Sequence, residues 1–142
     1  MISTVAVGTD GTDTAAEAVK AAAEIAQRFD ARLVLLSAVN EKHGPDAPPS
    51  GDAAEIQWTF NPAAQVREVL QRTEQRLQDQ KVDCSTMVDE GDPGEVLVRL
   101  AEECDADLLV IGNKGMHRRV LGSVPNSVTH KAPCSVYVVK TT

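Results

Sequence analysis

The chain has 142 residues, 25% of them charged, and a net charge of −7. That length fits one domain with a sizeable core, and the acidic balance argues against a nucleic-acid or anionic-membrane partner. No apolar run approaches the roughly 20 residues of a membrane span, and the first residues lack the basic-then-apolar pattern of a secretory signal, so a cytoplasmic protein is expected.

Thr4-Val-Ala-Val-Gly8 reads as a short buried strand. Thr9-Asp-Gly-Thr-Asp-Thr14 follows as a polar turn, in which Thr14 and Glu17 form a capping-box pair. Ala15, Ala18, Val19, Ala22, Ile25, Ala26 and Phe29 recur at helical spacing and predict one apolar face, ending at Asp30. Arg32-Leu-Val-Leu-Leu-Ser-Ala-Val39 is continuously apolar, as strands covered on both faces are. From Asn40 to Asn61 the chain is irregular and rich in proline and glycine. A stretch of that length in a compact domain is functional or mobile. Trp58 and Phe60 are its natural anchors, with ligand contact by Trp58 as the alternative.

Pro62 suits the first turn of a helix whose buried face is Val66, Val69, Leu70 and Leu77. Val82 to Glu90 is a more polar strand, expected near a sheet edge. Asp92 caps the next helix, with Pro93 at its first position and Glu95 as capping-box acid. Val96, Leu97, Leu100, Ala101 and Cys104 line its inner face. The run Glu102-Glu-Cys-Asp-Ala-Asp107 reads as a solvated helix end and turn. Asp107 to Ile111 is a third apolar strand, Ser123 to Lys131 a last helix, and Cys134 to Lys140 a final strand. Cys84, Cys104 and Cys134 are far apart without metal-ligand spacing, so free, mostly buried thiols in a reducing compartment are expected.

Strands alternating with helices predict a parallel sheet with helices on both faces and right-handed crossovers. Ligands of such sheets sit beyond the carboxyl ends of the strands, where strand order reverses. The turns after Val7, Val39 and Ile111 all end on that edge. The last opens the stretch Gly112 to Ser127, which holds three glycines and the local basic island Lys114, Arg118 and Arg119. Glycines let the backbone approach a ligand, and a helix start presents free N–H groups to an anion. The chemistry is that of a phosphate-binding loop; an ordinary glycine-bearing strand-to-helix turn is the alternative.

Three segments carry a family resemblance: Val5-Ala-Val-Gly-Thr-Asp-Gly-Thr-Asp13, Gly91-Asp-Pro93, and Gly112-Asn-Lys-Gly115 followed by Leu121-Gly-Ser-Val124. Together they resemble the first strand and turn, the Gly-x-Pro helix entry and the Gly-x2-Gly-x9-Gly-Ser/Thr nucleotide signature of the ATP-binding universal stress proteins. The likeness covers essentially the whole chain, as one domain. It departs at one point: six residues, Met116 to Leu121, separate Gly115 from Gly122, where the family pattern has nine. The resemblance implies a flavodoxin-like (adenine nucleotide alpha hydrolase-like) five-stranded open sheet of order 3-2-1-4-5. It also implies an ATP-binding regulatory protein of the stress response and a homodimer paired through the last strand, Cys134 to Lys140. The apolar run Val136 to Val139 would otherwise be an exposed edge. The shortened arm favours AMP or cyclic AMP over ATP as the alternative ligand.

The resemblance implies a role for each site residue. Asp10 contacts the nucleoside; a carboxylate there can accept from ribose hydroxyls and can hold Mg²⁺ through phosphates. Gly8 and Thr9 admit the base to the backbone, and Ala38 and Val39 offer adenine an apolar wall. Gly112, Asn113, Lys114 and Gly115 wrap the ribose and first phosphate. Gly122, Ser123 and Val124 give N–H groups and a hydroxyl to phosphate oxygens; a helix-cap role for Ser123 is compatible with this. Arg118 and Arg119 are candidate phosphate clamps or surface charge. Asn126 reads as structural, and Ser127 as structural or within reach of a distal phosphate.

No Walker-type loop, no Gly-x-Ser-x-Gly elbow and no Ser/His/Asp set at workable spacing occurs in the sequence. An enzyme is therefore not expected, with slow ATP hydrolysis as the limit. A nucleotide-independent protein-interaction module, using the acidic surface and residues Asn40 to Asn61, is the reading from a different class. The protein partner is not legible.

Overall fold

The computed structural model describes residues 1–10, 13–39, 63–114 and 121–141, with backbone alone at 13, 14, 114 and 141. The elements run β1 (Thr4–Gly8), α1 (Asp13–Phe29), β2 (Arg32–Val39), α2 (Ala63–Asp79), β3 (Cys84–Glu90), α3 (Pro93–Glu103), β4 (Leu108–Lys114), α4 (Ser123–Lys131) and β5 (Ser135–Thr141). All strand pairings are parallel, in the order β3-β2-β1-β4-β5. Strand order reverses between β1 and β4.

The two central apolar runs become central strands. Every residue of β1 is buried, and every residue of β2 after Arg32. Alternate side chains feed two cores. Val5, Val7, Leu33, Leu35 and Val39 pack beneath α1 and α2. Ala6, Val34, Leu36, Leu109 and Ile111 pack with α3 and the inner residues Val124 and Val128 of α4. Fully burying each Leu or Ile removes apolar surface worth about 1.5–3 kcal/mol from water. Polar β3 is an edge, as its composition predicts, and β5 is the other.

Three helices end in the same way. Asp30, Lys81 and Asp105 each take a left-handed backbone conformation, at φ 53°, 70° and 53°. The N–H groups of Ala31, Val82 and Ala106 then reach back to the carbonyls of Ala26, Leu77 and Ala101 at 2.8, 3.0 and 3.0 Å. This is the Schellman pattern, which satisfies carbonyls that the helix leaves over. Val82 is thus the buried closing residue of α2, and β3 starts only at Cys84.

The structure corrects four details. Phe29 is 54% exposed: it is the last residue of α1, where the backbone turns left-handed at Asp30. Val69 is half-buried, at the margin of the face set by Val66, Leu70 and Leu77. Helix α1 has begun by Asp13, one residue ahead of the expected Thr14 cap, whose side chain lies outside the described residues. Strand β4 continues through Gly112, Asn113 and Lys114, which pair with Val139, Lys140 and Thr141 of β5. Those three residues were expected in the loop; pairing with a distant strand holds them extended. Pro62, Trp58 and Phe60 lie outside the described residues.

Candidate functional site

The ladder registers give the sheet a notch. Gly8, the last residue of β1, is level with Leu36 of β2, and Val7 is level with Val110 of β4. Strand β2 therefore runs on through Ser37, Ala38 and Val39, and β4 through Gly112, Asn113 and Lys114. Three residues of overhang at about 3.3 Å each make walls about 10 Å high, and β2 and β4 lie two strand spacings, about 9.6 Å, apart. The floor is the end of β1. Thr9 carries its ladder one step further, donating its N–H to the Leu36 carbonyl at 2.9 Å. The notch stands at the reversal point of strand order, where open α/β sheets bind ligands.

Polar side chains collect there against the trend of the core. Among the described residues the buried polar ones are Thr4, Thr9, Asp10, Ser37 and Asn113, and all but Thr4 are at or next to this edge. Burying such groups is costly unless they are hydrogen-bonded. Ser37 is 0% exposed, on a strand residue level with Val88 of β3, and its hydroxyl finds no acceptor among the described residues.

Asn113 closes the loop after β4. It is 1% exposed, and its side-chain carbonyl Oδ1 accepts the Gly122 N–H at 2.8 Å. That bond spans nine residues and pins the start of α4 to the end of β4. Gly122 is the N-cap, in extended conformation and with no side-chain hydrogen bond capping the helix; Asn126 donates to its carbonyl at 2.9 Å. Ser123 is the first helical residue and exposed, so the reading of Ser123 as the cap is corrected: the cap residue is Gly122. Pro125, third in the helix, has no N–H to leave over. The first turn thus presents its N–H groups and its dipole end without a competing side-chain carboxylate, the arrangement that favours an anion.

Helix α3 starts on the same edge. The Asp92 carboxylate caps it, accepting the Glu95 N–H at 3.1 Å. The loop entry is fixed above it, where the Gly91 N–H donates to the Val39 carbonyl at 3.2 Å. Gly91 sits at φ 138°, a conformation that glycine alone adopts without strain. Arg99, further along α3, pairs with Asp89 of β3 at 2.8 Å.

Gly8, Thr9, Asp10, Ala38, Val39, Gly112, Asn113, Gly122, Ser123 and Val124 all lie at this edge, as does the backbone of Lys114. Ser127 does not turn toward β4. Its Oγ lies 2.8 Å from where a side chain on Gly94 would begin, against the first turn of α3. Gly8 has a packing reason of its own. A Cβ there would meet Leu97 Cδ1 at 2.9 Å and Ile111 Cδ1 at 3.0 Å. Gly115, Arg118, Arg119 and the Lys114 side chain lie outside the described residues. Sequence reading missed the loop-closing bond of Asn113, the buried hydroxyl of Ser37 and the contact at Gly94; each depends on residues distant in sequence.

The cysteines carry no reactive signature. Burial, aided by the nearby negative charges of Glu74 and Asp83, pushes the Cys84 thiol up to about 12. Burial also raises Cys104 and Cys134. Low reactivity follows, because the thiolate is the nucleophile. A separate groove of about 510 Å³ lies between α1 and α2, floored by Val19, Ala23 and Leu77 and rimmed by Lys20, Glu24 and Arg76. It brings no buried polar groups together, so the notch remains the candidate.

Comparison with known proteins gives the family. The profile of the universal stress protein family matches residues 1–140. A universal stress protein of Mycobacterium tuberculosis strain H37Rv is 38% identical over 145 aligned positions, covering 98% of this chain and 97% of that protein. The crystal structure of a universal stress protein in complex with cAMP is 32% identical, with a TM-score of 0.71 over 99% of this chain and 98% of that one. A universal stress protein from Lactobacillus plantarum is 25% identical, with a TM-score of 0.75 over 97% of each chain.

Proposed function

The chain belongs to the universal stress protein family, and from that premise we propose that it binds an adenine nucleotide in the notch over β1 and acts as a regulatory protein of the stress response. The observation that carries the reading is the coincidence of three features on one sheet edge. The notch is about one nucleoside wide and deep, its floor and wall hold the buried Asp10 and Asn113, and the start of α4 presents its first-turn N–H groups without a side-chain cap. Adenine lies against Ala38 and Val39. The Asp10 carboxylate accepts from the ribose hydroxyls. The phosphate takes the N–H groups of Ser123 and Val124, with Gly112 to Gly115 around it and Arg118 and Arg119 as clamps.

A monophosphate fits this arrangement better than ATP. The solved relative at 32% identity holds cAMP, and the arm from Met116 to Leu121 is short. ATP remains the family-wide alternative. Asp10 can support Mg²⁺ only together with phosphate oxygens, since Mg²⁺ keeps few protein ligands and no group of three or more His, Cys, Asp or Glu side chains that could hold a metal occurs among the described residues. We further propose a homodimer through β5, whose edge carries Tyr137 at 48% exposure, and a cytoplasmic location. No helix among the described residues is long and apolar enough to cross a membrane.

Isothermal titration with AMP, cyclic AMP, ADP and ATP tests the ligand. Wild-type protein binds at least one of the monophosphates, and Asp10→Ala weakens that binding about tenfold or more, which is 1.4 kcal/mol. Heat signals absent for all four would leave the nucleotide-independent interaction module as the better reading. Phosphate release on prolonged incubation with ATP would support the slow hydrolase.

A further inference from the structure

Helices α3 and α4 meet at a point with no spare room. Gly94 is the second residue of α3 and buried. A Cβ built on it would lie 2.8 Å from Ser127 Oγ and 3.0 Å from Ser127 Cβ. The hydroxyl can rotate away, but the Ser127 Cβ is fixed to the backbone of α4, and a carbon contact of 3.0 Å is tighter than nearly all real ones. Relief therefore needs a shift of a few tenths of an ångström between the start of α3 and α4.

Ser127 lies one helical turn beyond Ser123, on the same rigid rod. A displacement at Ser127 is thus carried to the first turn. The first turn is also held by the 2.8 Å bond from the Gly122 N–H to Asn113 and by the buried Val124 and Val128. Contacts from the end of β4, the core and the start of α3 together fix where the uncapped N–H groups of α4 stand relative to the notch.

We propose that Gly94 is a positioning residue: its bare α-carbon seats Ser127 and so sets how closely the first turn of α4 approaches a phosphate in the notch. This rests on the proposed adenine-nucleotide site, and makes the seat a determinant of preference for phosphate over the bare nucleoside. Gly94 touches no ligand. Its effect falls on the phosphate and spares the base and ribose, which the β1 and β2 ends hold.

The test compares AMP with adenosine by titration calorimetry, alongside amide spectra of the ligand-free full chain. Gly94→Ala lowers AMP affinity about tenfold, the order of one charge-assisted hydrogen bond, and leaves adenosine affinity within about twofold. In the ligand-free protein it moves the amide resonances of Gly122, Ser123 and Val124. Adding Ser127→Gly, which removes both crowded atoms, restores the amide positions and the AMP preference. Ser127→Val crowds the same seat from the α4 side and reproduces the selective loss, so the idea does not hang on one variant folding. Unchanged AMP affinity and amide positions in Gly94→Ala would overturn the proposal. Equal losses for AMP and adenosine would also overturn it, since they mark general damage. Wild-type protein that binds neither ligand sinks the nucleotide reading; the amide shifts and their reversal still decide the seat.

Discussion

Asn113 does two jobs with one side chain. It pairs with Lys140 of β5 near the end of β4, and it accepts the Gly122 N–H across the loop. At 1% exposure its side-chain carbonyl has little water to turn to, which makes that bond hard to lose. Asn113→Ala is expected to cost about 1–3 kcal/mol in urea denaturation, and to weaken AMP binding in the same preparation. Stability lost without weaker binding would confine Asn113 to the fold. The glycines of this edge were visible in the sequence, as was the acid at Asp10. The partner of Asn113 was not, because the bond joins positions whose approach is set by β4, β5 and α4 together. Gly94 was equally silent: in the sequence it is one more residue of a helix start, and only the position of Ser127 makes it necessary.

Elements were largely legible, because long apolar runs and cap residues are local signals. Asp92 caps α3 as its place before Pro93 suggests, and α4 runs from Ser123 to Lys131 as its pattern predicts. The errors sit where tertiary pairing decides. Strand β4 gains Gly112 to Lys114 from β5, and Phe29 obeys the helical period of α1 yet stands exposed at the helix end. The helix ends yield a prediction. Lys81 holds φ 70° without the tolerance of Asp for that region, so Lys81→Gly is expected to stabilise the fold by about 1 kcal/mol, read from the urea midpoint at unchanged slope. The strand starts yield another. At the opposite edge from the notch, one Asp107 oxygen accepts the N–H groups of Ser3 and Thr4 at 2.8 and 3.0 Å. Those bonds hold the Asp107 carboxyl below its ordinary value, and the Glu90 N–H followed by Arg99 does the same for Asp89. A depressed carboxyl contributes stability above the unfolded value of about 3.9 and loses it as pH falls through the folded value. Thermal unfolding measured from pH 7 downward should therefore show a melting temperature that drops below about pH 4. Asp107→Asn should lower it at pH 7 and flatten that acid limb. An acid limb identical to wild type would show that these bonds do not report on folding.

At the scale of the whole molecule, the sheet sorts its chemistry by edge. Ends of helices and the Asp107 clamp gather where the strands start; the helix beginnings and, Thr4 apart, the buried polar groups of the described residues gather where they finish. The two lateral edges differ too. Strand β3 is polar, while β5 carries Val136, Tyr137, Val138 and Val139 in a row. An apolar edge strand of that kind invites pairing with a second copy. Under the proposed dimer, Tyr137→Glu converts the protein to a monomer in light scattering while leaving its circular dichroism unchanged; a wild-type monomer would remove the dimer from the account.

One titration reads both where the ligand binds and which ligand it is. Isotope-labelled wild-type protein is titrated with AMP while its backbone amides are followed. Saturable shifts are expected at Gly8, Thr9, Asp10, Ala38, Val39, Asn113, Ser123 and Val124, with little change along α2. Shifts centred instead on Lys20, Glu24, Arg76 and Gln80, the rim of the α1–α2 groove, or no shifts at all, would rule out AMP binding in the notch.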